Sequence, residues 1–211
     1  MLACPATGRL IPRILMALTV LGGTALAQAE FSAEIVNLAN ANGPFQTKVF
    51  AIKDKLRFQQ EKGGNLNSIM IVNLAAGTSI VLMPQQRLYV EQSRPQIPGQ
   101  GVTFFQPRDV NDACGDWRKM AHAEIGKCHK VGGESANGRD TVKYASVLKG
   151  ETTYLWLDTQ LHFPVKWQGP VSSGELRNIH EGSQPAELFE IPAGYTKRSF
   201  AKKPAPKPQP Q

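Results

Sequence analysis

Residues Thr152–Pro170 read TTYLWLDTQLHFPVKWQGP, and Ser172–Tyr195 read SSGELRNIHEGSQPAELFEIPAGY. The first segment packs Tyr154, Leu155, Trp156, Leu157, Phe163, Val165 and Trp167 into two short runs around a polar turn. Aromatic and β-branched residues in such runs predict strand, turn, strand. The second segment carries another strand over Glu175 to His180. It ends on Phe189, Ile191, Pro192 and Tyr195, an apolar anchor just before the chain turns basic and proline-rich.

Upstream, the same grammar repeats. Strands are predicted over Phe31–Leu38, Phe45–Ile52, Lys55–Gln60, Ser68–Leu74, Ser79–Met83 and Arg87–Glu91. Turn residues divide them, among them Asn42-Gly43-Pro44, Gly63-Gly64 and Ala75-Ala76-Gly77-Thr78. A further strand is predicted over about Lys127–Val131, leading to another with a turn at Asn137-Gly138, and Thr141–Leu148 follows. Short, evenly spaced runs of this kind predict a meandering antiparallel sheet of about eleven strands. A sheet with one wet face alternates apolar and polar residues. Ile69–Val72, Ile80–Met83 and Tyr154–Leu157 are apolar throughout. Either both faces are covered there, or one face lines an internal cavity.

Two segments are available as covers. Ser93–Pro107 holds Pro95, Pro98, Gly99, Gly101 and Pro107, which exclude a regular helix or a central strand. It also carries Val102, Phe104 and Phe105, which suit a loop folded over an apolar surface. A helix is predicted over Val110–Ala121. Val110, Ala113, Cys114, Trp117, Met120 and Ala121 share one helical face, with Asp109 as N-cap and Asp112 in the first turn.

The N-terminus reads as an address. Arg9 and Arg13 precede the apolar run Ile14–Leu26, which is too short to span a bilayer securely. Small-x-small cleavage sites end at Ala27 and Ala29. This predicts a secretory signal peptide over residues 1–29, a folded domain over 30–196, and a periplasmic or secreted protein. Cys114 and Cys128 are the two cysteines left after cleavage. In an exported chain they predict a disulfide, and closing such a loop stabilises by about 3 kcal/mol.

The chain carries 24 Lys+Arg against 17 Asp+Glu. Residues 28–196 hold 17 of each sign, so the excess sits at the two ends. A nucleic-acid footprint needs basic residues clustered on a folded face. That class is therefore excluded. The tail over 197–211 is Pro/Lys-rich. It predicts disorder, as a solubilising end or in weak contact with an anionic membrane surface.

Catalytic patterns are absent from the sequence. Gly77-Thr78-Ser79-Ile80-Val81 fails as a nucleophile elbow at its last position. Gly63-Gly64 lies between strands and does not open a helix as a phosphate loop would. His122-Ala123-Glu124 lacks the P-C-x-x-C of zinc deaminases, and His122, His129, His162 and His180 have no metal-ligand spacing. No cofactor, metal or catalytic residue is predicted, and the protein is read as a non-enzyme.

The pattern Tyr154-x-Trp156-x-Asp158-Thr159-x-Leu161-x-Phe163-Pro164, with Leu188-Phe189-Glu190-Ile191-Pro192-Ala193-Gly194-Tyr195, resembles an exported bacterial family of unassigned function. In layout it is similar to the LolA/LolB-like lipoprotein-carrier superfamily. The resemblance implies an unclosed antiparallel half-barrel with a covering lid. It also implies an apolar ligand, a lipid or lipoprotein acyl chain, held in the concave face. The residues expected to line that face are Met70, Val72, Met83, Tyr89, Phe104, Phe105, Trp117, Trp156 and Trp167. Methionine and aromatic linings suit variable apolar ligands. The alternative is an envelope interaction or stress-sensing protein, filled inside, that meets a protein partner through its surface; a monomer is expected on either reading.

Overall fold

The computed structural model describes residues 29–38, 46–62, 65–93, 104–121, 125–170 and 172–198. The leader, the Asn42-Gly43-Pro44 and Gly63-Gly64 turns, Val102, His122 and the tail past Arg198 lie outside them. The described residues form β1 (Phe31–Asn37), β2 (Gln46–Ile52), β3 (Lys55–Lys62), β4 (Asn65–Asn73), β5 (Thr78–Met83) and β6 (Leu88–Gln92). Then come α1 (Cys114–Ala121), β7 (Lys127–Ala136), β8 (Arg139–Leu148), β9 (Glu151–Asp158), β10 (Phe163–Gln168), β11 (Ser173–Glu181) and β12 (Thr196–Lys197).

All twelve strands belong to one sheet, in the order β12-β6-β5-β4-β3-β2-β1-β11-β10-β9-β8-β7. The sheet is not closed into a barrel, since β12 and β7 are its two edges. The twelfth strand, beyond the eleven foreseen, is a two-residue ribbon running parallel to β6. Every other pairing is antiparallel, and turn chemistry explains several of them. Asn137 and Gly138 both take positive φ, at 53° and 75°, as do Lys149 and Gly150, at 52° and 86°. Two successive left-handed residues match the twist of the strands they join. The strand begun at Lys127 runs on to Ala136, with a register shift between Lys130 and Gly132.

The helix is shorter than its periodicity predicts. It begins at Cys114, not Val110. Asp109 does not cap it: its Oδ1 accepts from Asn111 N at 2.7 Å, making a local turn. The hydroxyl of Tyr144 on β8 takes over the backbone of the missing turn. It donates to Val110 O at 2.8 Å and accepts from Ala113 N at 3.2 Å. Among the described residues no helix is long and apolar enough to cross a membrane.

Candidate functional site

Strand parity and register divide the sheet into two faces. The inner face carries Phe31 and Ala33 (β1), Val49 and Ala51 (β2), Leu56 and Phe58 (β3), and Met70 and Val72 (β4). It continues through Val142 and Tyr144 (β8), Leu155 and Leu157 (β9) and Trp167 (β10). Residues 104–117 lie over this face. Phe104 is buried among Phe58, Phe163 and Trp167, with ring centroids 5.4, 5.5 and 5.3 Å away. It stacks on Phe163 and meets Trp167 edge to face, both favourable aromatic geometries. Phe104 and Phe105 stand on irregular backbone, unlike the sheet-borne rings around them.

The lid is tied down at several points. Cys114 and Cys128 form the foreseen disulfide, with Cα atoms 5.7 Å apart, joining α1 to the edge strand β7. Tyr144 holds the turn before the helix, and burial pushes its hydroxyl above the ordinary tyrosine range. Lys130 Nζ donates to Asn111 Oδ1 at 2.7 Å. Trp117 buries its indole in the inner core. Trp167 needs Gly174 beside it, because a Cβ there would lie 2.2 Å from Trp167 Cζ2 and 2.6 Å from Val36 O. Its Nε1 donates to Ser172 Oγ at 3.1 Å.

Of the nine residues expected to line the concave face, Met70, Val72, Phe104, Phe105, Trp117 and Trp167 meet in one inner cluster. Met83 follows Val81 on the same side of β5 and is half-buried outside that cluster. Tyr89 pairs with Leu82 and belongs to the opposite, outer face. Trp156 is contiguous with the inner core but leaves β9 on the outer side, between its register partners Lys143 and Lys166. Their ammonium groups lie 4.6 and 4.8 Å from its ring centroid, and Lys143 is also 4.9 Å from the Tyr154 ring. Trp156 Nε1 is buried and meets no acceptor at hydrogen-bonding geometry. It still lies close enough to Glu134 to assist Lys143, the main cause, in holding that carboxyl below the ordinary glutamate range.

The residues missed in sequence are polar. Ser79 Oγ on the inner wall and both ends of the Gln106 carboxamide, next to the Phe104-Phe105 pair, are buried without partners. Such orphans are uncommon in native cores. No spacing in the sequence marks them, because orphaning depends on which neighbours the fold supplies.

The outer face is divided. Over β3–β6 it is apolar: Ile69, Ile71 and Leu82 are buried under Phe189, with Leu188, Ile191 and Tyr195 alongside. The segment 185–198 is therefore a strap. Arg57 lies beneath it, 7% exposed, donating to Leu188 O at 2.5 Å and to Gln59 Oε1 at 2.8 Å. Burial lowers its pKa from the ordinary arginine value. Over β8–β11 the outer face is polar. Asp158, 1% exposed, is paired with Arg139 and accepts from Gln160 N and Leu161 N, both at 2.8 Å. Arg139 also reaches Glu181 at 2.6 Å, and its pKa is raised, chiefly by Asp158. These carboxylates are engaged in holding strands and turns together. Among the described residues no three His, Cys, Asp or Glu side chains gather as a metal site.

No protein-family model matches the chain, and no curated sequence is similar to it. Solved structures similar to it include PNGF-II, at 9% identity and a TM-score of 0.49, over 80% of this chain and 30% of that one. MucB in complex with MucA(peri) is 15% identical, with a TM-score of 0.45, over 80% and 56% of the two chains. A LolA superfamily protein from Nitrosomonas europaea is 10% identical, with a TM-score of 0.31, over 77% and 88%. The chain thus spans under a third of PNGF-II and just over half of MucB. A LolA superfamily protein and MucB are among its structural neighbours, while no family model supports the FEIPAGY-type ending as a signature.

Proposed function

We propose that this is a non-catalytic binding protein of the bacterial envelope, periplasmic or secreted, that holds an apolar ligand against the inner face of its sheet. A lipid or lipoprotein acyl chain has the required chemistry. The observation that carries this reading is Phe104: a loop-borne ring completes an aromatic wall that the sheet alone leaves open. A ligand chain would take the place of the Phe104-Phe105 pair, gaining about 0.8 kcal/mol per buried CH₂. The orphaned Ser79 hydroxyl and Gln106 amide favour a ligand with a hydrogen-bonding head over a plain hydrocarbon. The disulfide agrees with an oxidising compartment.

The test is native mass spectrometry of protein purified without detergent, followed by displacement of a fluorescent fatty-acid probe. A co-purified acyl lipid and saturable displacement are expected, with tighter probe binding by Phe104→Ala, which empties the wall. Absence of both lipid and displacement would sink this reading.

A second reading has its own support. The inner cluster is closed, with Phe31, Val49, Leu56, Leu155, Leu157, Leu161 and Phe163 fully buried. A filled core of this kind suits a monomeric interaction or stress-sensing protein acting through its surface. It predicts no bound lipid and a protein partner recovered by in-cell crosslinking.

A further inference from the structure

On the outer face, away from the lid, β1 and β11 do not pair evenly. Ser32 faces His180 and Glu34 faces Arg177, so the register shifts between them. β11 has one residue more than β1 across this step, and Asn178 there takes a left-handed φ of 50°. A bulge of this kind breaks the ladder and re-aims side chains. Beside it lies an open recess of about 280 Å³, lined by Ser32, Ala33, Glu34, Lys48, Phe50, Asn178 and His180.

The charges around the recess are held apart. Glu34 and Lys48 are direct cross-strand partners, yet no ion pair joins them. Lys48 Nζ turns to Glu61 Oε1 at 3.9 Å, and Glu34 Oε2 accepts from Asn178 Nδ2 at 2.9 Å. Opposite charges so placed gain roughly 0.2–1 kcal/mol when they pair. Here the space between them stays open, with the half-buried Phe50 ring as one wall.

From this geometry we infer that the recess binds one sugar ring. A hydroxyl both donates and accepts, so neighbouring hydroxyls of a pyranose can serve a carboxylate and an ammonium at once. Ser32, Asn178 and His180 add further hydrogen-bonding groups. The C–H face of the ring would lie on Phe50. An inorganic anion is disfavoured by Glu34, and a metal ion would find a single carboxylate. The volume suits one ring of hexose size. That ring is either a free monosaccharide or the end of a longer glycan.

The test is an amide chemical-shift titration of the full chain. Ligands are glucose, N-acetylglucosamine and its β-1,4-linked trimer, with glycine and inorganic phosphate as comparators. Saturable shifts are expected at Ser32, Glu34, Lys48, Phe50, Asn178 and His180 with at least one saccharide. Glu34→Gln keeps the shape and should weaken that binding about tenfold, the loss of one charge-assisted hydrogen bond, without moving lipid-probe displacement. Tighter binding of the trimer than of the monosaccharide would assign a glycan end; equal binding would assign a free sugar. No saturable saccharide shift, binding of glycine or phosphate alone, or saccharide affinity untouched by Glu34→Gln each overturns the proposal.

Discussion

The outer face over β3–β6 and the outer face over β8–β11 cover the same kind of sheet in different ways. In the first, Ile69, Ile71 and Leu82 lie beneath Phe189 and its neighbours, an apolar strap of the chain itself. In the second, Trp156 lies beneath Lys143 and Lys166, side chains of the adjacent strands. Both solutions bury an apolar side chain, and they differ in what they depend on. The strap is a segment distant in sequence that must dock. The lysines arrive with the strands and set their ammonium groups over the indole, and Lys143 also pairs with Glu134 at 2.9 Å. The contrast teaches that a run apolar at every position needs two covers, and that the second cover can be a side chain.

This difference can be broken from either side. The largest effect is expected for Phe189→Ala, which removes the buried ring of the strap. It should cost about 3–5 kcal/mol in urea unfolding, and hydrogen exchange should rise over β4, β5 and β12 while β8–β10 stay protected. Equal deprotection of both halves would show that the strap does not belong to its half alone. Next comes the double variant Cys114→Ser, Cys128→Ser. It frees the lid from the edge strand and should cost about 3 kcal/mol. Exchange should rise first at residues 113–121, with the strapped half unchanged.

The smallest effect concerns the lysine cover. Lys143→Ala should cost about 1 kcal/mol and leave the strap in place. It should also let the Glu134 carboxyl rise toward its ordinary value. Because the folded pKa of Glu134 is depressed, its contribution is present above the ordinary carboxylate range. It is lost as the pH falls from about 4.3 through the lower folded value. NMR titration of Glu134 in the parent and in Lys143→Ala measures this, and an unchanged midpoint would remove Lys143 as the cause.

Much of the fold was legible because it is local. Asn137-Gly138 and Lys149-Gly150 dictate their hairpins from within, and the β3–β6 runs announce themselves by composition. The cover over β4 and β5 was half legible: runs apolar throughout demand it, and Phe189, Ile191 and Tyr195 were marked as an anchor. Sidedness was not legible. In Tyr154-Leu155-Trp156-Leu157 no polar residue says which parity faces the lid, so Trp156 was expected beside Trp167 and lies on the other side. Tyr89 was misplaced in the same way, since only its register with Leu82 assigns its face. The start of α1 was misjudged because Tyr144, on a strand beyond the helix, takes the backbone groups of its first turn. The recess at Asn178 depends on a register shift, which no single strand displays.

The order of the strands has a consequence for how the molecule assembles. β1–β6 can pair in succession as they emerge, and so can β7–β11, each closing only short loops. The two meanders meet along one seam, where Phe31 faces Glu181 and Asn37 faces Gly174. Drawing those strands together closes a loop of roughly two thirds of the chain, the slowest kind of contact to form. Until it forms, β1 and β11 each expose an unpaired edge at what becomes the middle of the sheet. The period before that seam is sealed is when this chain is most open to pairing with the wrong neighbour.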